Sequence, residues 1–225
     1  MLSSEEVMKN KERFIELVNG IEREGVDKEH LIKKLESSDF FSAPASTKYH
    51  NAFEGGLCAH CLSVYDTLKK FVESLYGDES ETDSNNRTYG EDTIRIVSLF
   101  HDFDKMNKYE KSVRNMKVYT EKGSKYDELG KFDWVSVPSY KVKEYCDIFT
   151  IGTHGENSVY MTETFIPLTA EEHCAILNHH GIYDNPKLDT SSVFHRYPLS
   201  LLLHMADMVS ALALEENEQD NKRAT

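Results

Sequence analysis

The stretch SLFHDFDK, Ser98 to Lys105, sets an adjacent histidine and aspartate, His101-Asp102, at the end of the apolar run Ile94–Phe100. Burying an unpaired carboxylate is costly. The cost falls when the carboxylate and its neighbouring imidazole both bind a metal ion. A lone pair of this kind at a helix end reads as a hydrogen-bonded structural pair. The metal reading therefore needs further ligands on other segments.

The flanking pattern predicts a mostly helical fold. Ile94, Ile96, Val97, Leu99 and Phe100 make the helix from about Asp92 apolar on most sides, hence central. Upstream, Leu57, Cys61, Val64, Leu68, Phe71 and Leu75 recur at alternating spacings of four and three, which predicts a long amphipathic helix. Gly55-Gly56 precede it, where close approach is useful, and His60 falls on the edge of its buried face. Ser3 with Glu6 forms a capping box for a helix over residues 3–19, and a short helix starts near Asp27. Residues 77–92 are polar and acidic and read as a surface loop.

Downstream of Lys105 the pattern changes. Residues 107–151 predict an inserted β-hairpin, Lys117–Thr120 against Phe132–Val137, placed as a lid or specificity element right after the His-Asp pair. A strand-like run, YCDIFTIGT, leads to His154, and helical signals resume there. Thr169 with Glu172 is a second capping box, for a helix closing on His179 and His180 before Gly181. After the loop GIYDNPKLDTSS, Pro198 opens a last helix with Leu199, Leu202, Leu203, Ala206, Val209 and Ala213 as its stripe. Asp207 interrupts that stripe and needs a partner. The expected organisation is an N-terminal helical extension (1–47), a domain over 48–214, and a frayed tail (215–225).

Composition narrows the function. The chain has 225 residues, 39% hydrophobic and 29% charged, with a formal net charge of −13. A surface this acidic repels long polyphosphate chains, although bound cations reverse the sign locally. No apolar run approaches the ~20 residues of a membrane span. The N-terminus lacks a signal-peptide pattern, and the four cysteines read as reduced thiols, so a cytoplasmic protein is expected. Cys58-Ala59-His60-Cys61 has no second cysteine pair, and Cys61 lies on the apolar stripe, which makes it a core thiol.

Separate segments thus offer His60, His101-Asp102, His154, His179-His180 and Asp207. Imidazole with carboxylate suits manganese, iron, cobalt, nickel or zinc, and magnesium where oxygen dominates. A helical bundle can bring such residues together on its axis.

The ordered pattern resembles the HD superfamily of metal-dependent phosphohydrolases. His60, His101, Asp102 and Asp207 match its His…His-Asp…Asp series, and HDFDK matches its HD-x-x-K form. HNAFEGGLCAH (50–60), HGENSV (154–159), AILNHHG (175–181) and RYPLSLLLHMAD (196–207) resemble a bacterial and phage branch of it. The resemblance spans about residues 48–213. It implies an all-α HD-domain bundle, with one metal on His60, His101, Asp102 and Asp207. It also implies a second metal beside the first, on His154 and His179 with His180, bridged by Asp102. A metal-activated hydroxide would cleave a phosphate ester of a small, nucleotide-type substrate, with Lys105 contacting phosphate. If one metal binds, His154 and His179 are candidate phosphate donors or acids. Arg114, Arg196 and His50 are further substrate contacts to examine. Asp104 stands where the family has Gly or Cys, either behind a ligand or exposed. A nuclease on short oligonucleotides, a di-iron oxygenase and a non-catalytic nucleotide-binding module remain alternatives.

Overall fold

A computed structural model describes residues 1–77, 89–183 and 189–215 of the chain. Most of the acidic 77–92 segment and all of the tail after Glu215 fall outside the described residues. Eight α-helices and one small antiparallel sheet make up the described fold. The all-α expectation is therefore corrected to a mixed, mainly helical fold.

Helix α1 (Ser4–Asn19) begins with the expected Ser3–Glu6 capping box, and α2 (Lys28–Glu36) is capped by Asp27. Helix α3 (Gly56–Tyr76) carries the long apolar stripe. Leu57, Cys61, Val64 and Leu68 are fully buried, and the stripe surfaces at Leu75. Gly55 has φ +82°, and a Cβ on Gly56 would stand 2.0 Å from the Asn51 carbonyl oxygen. The two glycines let α3 start hard against the preceding loop. Helix α4 (Glu91–Phe100) ends on His101.

A 3₁₀ turn, Phe103–Lys105, then leads into the insertion. It is larger than the expected hairpin. Strand β1 (Tyr109–Tyr119) pairs with β3 (Gly130–Val142) along its whole length, and the short β2 (Lys125–Asp127) adds to β3's other side. The two segments expected to face each other do so in part, with Lys117 opposite Trp134 and Tyr119 opposite Phe132, while Val137 pairs with Arg114 beyond the expected first strand. The part of the hairpin nearer the helical body carries exposed residues on both faces, such as Lys111, Val113 and Lys141, so hydrophobic alternation is lost there and backbone pairing alone defines the strand. The sheet touches the segment before α3, where Ser139 Oγ donates to the Thr47 carbonyl at 3.3 Å.

The strand-like run before His154 is not a strand; its Tyr145–Asp147 part is a 3₁₀ turn. Helix α5 (His154–Glu163) opens with a Thr153–Glu156 capping box, and α6 (Ala170–Leu177) with the expected Thr169–Glu172 box. Helix α6 stops at Leu177, so His179 and His180 lie in the turn beyond it. Within the expected loop after Gly181, Asp189 caps a short helix, α7 (Thr190–Arg196). Helix α8 (Pro198–Val209) starts at Pro198 and continues into a π-helical turn, Ser210–Leu214.

One buried cluster unites these helices. Phe14, Leu31, Leu35 and Phe40 from the N-terminal helices and the segment after them belong to it, together with Leu68, Phe100, Phe103 and Leu203. Phe14 meets Phe40 and Phe100 at ring-centroid distances of 5.0 and 6.0 Å. Among the described residues, no single helix is long and apolar enough to cross a membrane.

Candidate metal centre

Polar groups line one end of this core. His60, His101, Asp102 and His179 are completely buried, and Asp207 nearly so. His60 projects from the interior of α3, not from its edge as the stripe suggests. His101 and Asp102 follow α4, and Asp207 comes from α8. His154 is the first residue of α5. A Cβ on Gly155 would lie 2.2 Å from the Leu177 carbonyl oxygen, so only glycine allows α5 to start against the end of α6. That contact sets the His154 ring 5.0 Å from His179 and 4.6 Å from His180.

The donor atoms form two groups that share Asp102. His60 Nε2 lies 3.2 Å from His101 Nε2, 3.4 Å from Asp102 Oδ2 and 3.1 Å from Asp207 Oδ1. His101 Nε2 lies 3.5 Å from Asp102 Oδ2 and 4.0 Å from Asp207 Oδ1. Ligands that share one metal at about 2.1 Å stand about 3.0–3.4 Å apart when adjacent and about 4.2 Å apart when opposite. The first group fits that spacing. On the other side, Asp102 Oδ1 lies 2.7 Å from His154 Nε2 and 3.6 Å from His179 Nε2. His180 completes this second group, with its Nε2 3.8 Å from Asp207 Oδ2.

The rings are oriented from behind. His101 Nδ1 donates to the Ser98 carbonyl at 2.8 Å, and His179 Nδ1 to the Ile176 carbonyl at 2.7 Å. His60 Nδ1 donates to Glu215 Oε1 at 2.8 Å. His154 Nδ1 lies 2.5 Å from Asp104 Oδ1. With Nδ1 committed to an acceptor in His60, His101 and His179, Nε2 is the nitrogen left facing the centre; His154 Nδ1 meets Asp104 as a close ion pair without hydrogen-bond geometry, and its Nε2 lies 2.7 Å from Asp102 Oδ1. The Nε2 atoms of His179 and His50 are buried without a hydrogen-bond partner, as expected of groups that await a ligand.

Electrostatics agree. Burial would lower the His60 pKa, but Glu215 and Asp207 outweigh it and hold it at about 10. Burial likewise opposes protonation of His154, and Asp104 and Asp102 raise it to about 9. His101 has no such surplus of carboxylate, and burial drives it down to about 3. Burial disfavours the charged form of Asp102 and Asp207, yet both stay well below the usual carboxylate range: Asp102 through Lys105 and His101, Asp207 through His60. Among the described residues, the lysines that pair with Asp102, Asp104, Asp207 and Glu215 are Lys105 and Lys108, which leaves excess negative charge while the imidazoles are neutral. Protonation of His60 and His154 offsets it; a divalent cation would do the same and release those protons. The residues present therefore fit a metal ion.

Lys105 is buried and donates to Asp102 Oδ2 at 2.6 Å, beside both groups. His50 lies tilted against His60 with ring centroids 4.7 Å apart, and burial lowers its pKa to about 3. Arg114 lies mid-strand on β1, opposite Val137. Arg196 ends α7, exposed, with its guanidinium over Tyr197. Neither arginine is among the groups gathered about Asp102. Cys58 and Cys61 are buried free thiols, and burial pushes Cys58 up to about 12.

One participant is hidden in the sequence, and another, His204, reads there as packing beside the core more than as support for a ligand. Glu215 looks like the start of an acidic tail, but the π-helical turn Ser210–Leu214 carries it back to His60. His204 Nδ1 donates to the His179 carbonyl at 2.5 Å and supports the His-His turn. Asp104 takes the buried of its two expected positions, against His154 and Lys108.

Comparison with family models, with curated proteins and with solved structures finds no match to this chain. The buried His/Asp cluster is compatible with an HD-type metal site.

Proposed function

We propose that the chain is a metal-dependent phosphohydrolase of the HD superfamily, acting on a phosphate ester of a small, nucleotide-type substrate. Asp102 carries this reading: it turns Oδ2 to His60 and His101 and Oδ1 to His154 and His179, with the Lys105 ammonium alongside. Divalent ions held by His60, His101, Asp102 and Asp207, and by Asp102, His154, His179 and His180, would acidify a coordinated water and polarise a phosphoryl group. The remaining work falls to the chain's own groups. Lys105 supplies fixed positive charge for a phosphate oxygen at the edge of the centre, and its tie to Asp102 holds it there. His180, with 30% of its side chain exposed, is the most open of the ligand set and marks the side from which substrate enters. The net charge of −13 disfavours long nucleic acid and favours a small substrate.

The test is a hydrolysis screen of the full chain on nucleotides, cyclic nucleotides and short oligonucleotides with manganese, and separately with iron and oxygen. Phosphate release that disappears in Asp102→Ala is the expected result. Release from oligonucleotides alone makes the protein a nuclease, oxygen consumption makes it an oxygenase, and binding without turnover makes it a binding module.

A further inference from the structure

The four buried rings are not held alike. His101 and His179 lean on backbone carbonyls, whereas His60 and His154 each lean on a buried carboxylate. There is one such carboxylate for each donor group. We propose that Glu215 and Asp104 are positioning residues that set the metal affinity of the two groups separately, Glu215 through His60 and Asp104 through His154. The inference rests on the metal reading above.

Both carboxylates are built in. The Glu215 side chain is 5% exposed, and its amide donates to the Ser210 carbonyl at 3.0 Å to close the π-helical turn. Ser210 Oγ lies 3.4 Å from Thr67 Oγ1 on α3, the helix that carries His60. Glu215 is thus tied to the element whose histidine it holds. Asp104 repeats the arrangement from another part of the chain. Its side chain is 1% exposed, and its amide donates at 3.3 Å to Ser158 Oγ on α5, the helix that carries His154. Lys108 Nζ binds its second oxygen, Oδ2, at 2.7 Å.

A carbonyl behind Nδ1 fixes the ring and its tautomer. A carboxylate does both and also adds negative charge, which strengthens the opposite nitrogen as a donor. Burial keeps that charge from being screened. Each donor group therefore contains one imidazole strengthened by a carboxylate, His60 in the first and His154 in the second, and that one is adjustable from outside the ligand set.

Metal-stripped full chain titrated with cobalt(II), read by competition with a chromophoric chelator and by the cobalt absorption bands, tests the proposal. Wild type should take two ions. Glu215→Gln keeps an acceptor and loses the charge, and should weaken one ion about tenfold; Glu215→Ala should weaken the same ion about a hundredfold. Asp104→Asn should weaken the other ion about tenfold and leave the first unchanged. Two ions bound at wild-type affinity in all three variants would overturn the proposal and leave the metal centre standing. Equal loss of both ions in each variant, with earlier melting of the metal-stripped chain, overturns it in favour of a structural role. A single ion in the wild type overturns the two-group assignment. No ion in the wild type removes the metal reading and this inference with it.

Discussion

The two donor groups around Asp102 are built by different means. His60 and Asp207 project from the interiors of α3 and α8, and His101 from the end of the central α4. Their positions follow from helix packing, and the two histidines are completely buried. His154, His179 and His180 sit at a helix start and in a turn. Their positions depend on capping, on the Ser158–Asp104 contacts and on the glycine at 155, and His154 and His180 keep 11% and 30% side-chain exposure. Helix packing fixes the backbone of a ligand in the core and leaves one polar contact to orient its ring, while a ligand at a helix end needs polar restraints for its backbone as well. The first group should be the more rigid and the second the more adjustable.

Replacement of the shared residue should erase the difference. Asp102→Ala should remove both ions from a metal titration and lower any turnover by at least about 10²–10³-fold, with the helical circular-dichroism signal retained. Residual binding of two ions would show that Asp102 does not join the groups. Next in size, His60→Ala should abolish the more tightly held ion and spare the other, and the stoichiometry of cobalt binding reads this directly.

A third comparison acts through folding. Glu172 ties α6, and with it the His-His turn, to Arg23 at 2.5 and 2.6 Å and to Thr93 on α4 at 2.7 Å. Burial raises the Glu172 pKa, and its bonds to Arg23, Thr169 and Thr93 bring it below the ordinary value of 4.5. Its folded-state pKa is therefore depressed. The stability it contributes is complete above the unfolded value and is lost as pH falls through the folded one. Glu172→Ala should cost about 3 kcal/mol in urea unfolding of the metal-stripped chain near neutrality, and the gap from wild type should narrow below about pH 4.5. A gap independent of pH would refute the assignment.

The smallest effects should come from the second group alone. Gly155→Ala forces α5 away from the Leu177 carbonyl and should cost about 1–3 kcal/mol, with weaker binding of the His154-side ion. His180→Ala should weaken that same ion about tenfold and leave the fold unchanged in thermal melts.

Sequence pattern was most informative where packing decides structure. The stripe of α3, the capping boxes at Ser3 and Thr169 and the Pro198 start all appear as read, because each is a local signal with a local cause. Every proposed ligand, from His60 to Asp207, lies in the cluster. The sheet was legible only at its far end, since the pairs nearer the helical body join charged residues such as Glu110 and Lys141 that carry no strand pattern. Helix α7 was concealed among turn-forming residues, with Asp189 as its one cap signal. Glu215 escaped because it follows a π-helical turn in extended backbone, at the head of a run of charged residues.

The insertion has a further consequence. Its two ends meet: the Lys143 amide donates to the Lys108 carbonyl at 3.0 Å, and Lys143 Nζ to the Asn107 carbonyl at 2.7 Å. The chain leaves the helical body and returns at one point, so the sheet is an excursion with a single doorway. Such a module can be gained, lost or exchanged by recombination without cutting any helix that holds a ligand. A chain in which residues 109–142 give way to a two-residue turn should still assemble the core and bind its ions, and the sheet can diverge freely above an unaltered centre.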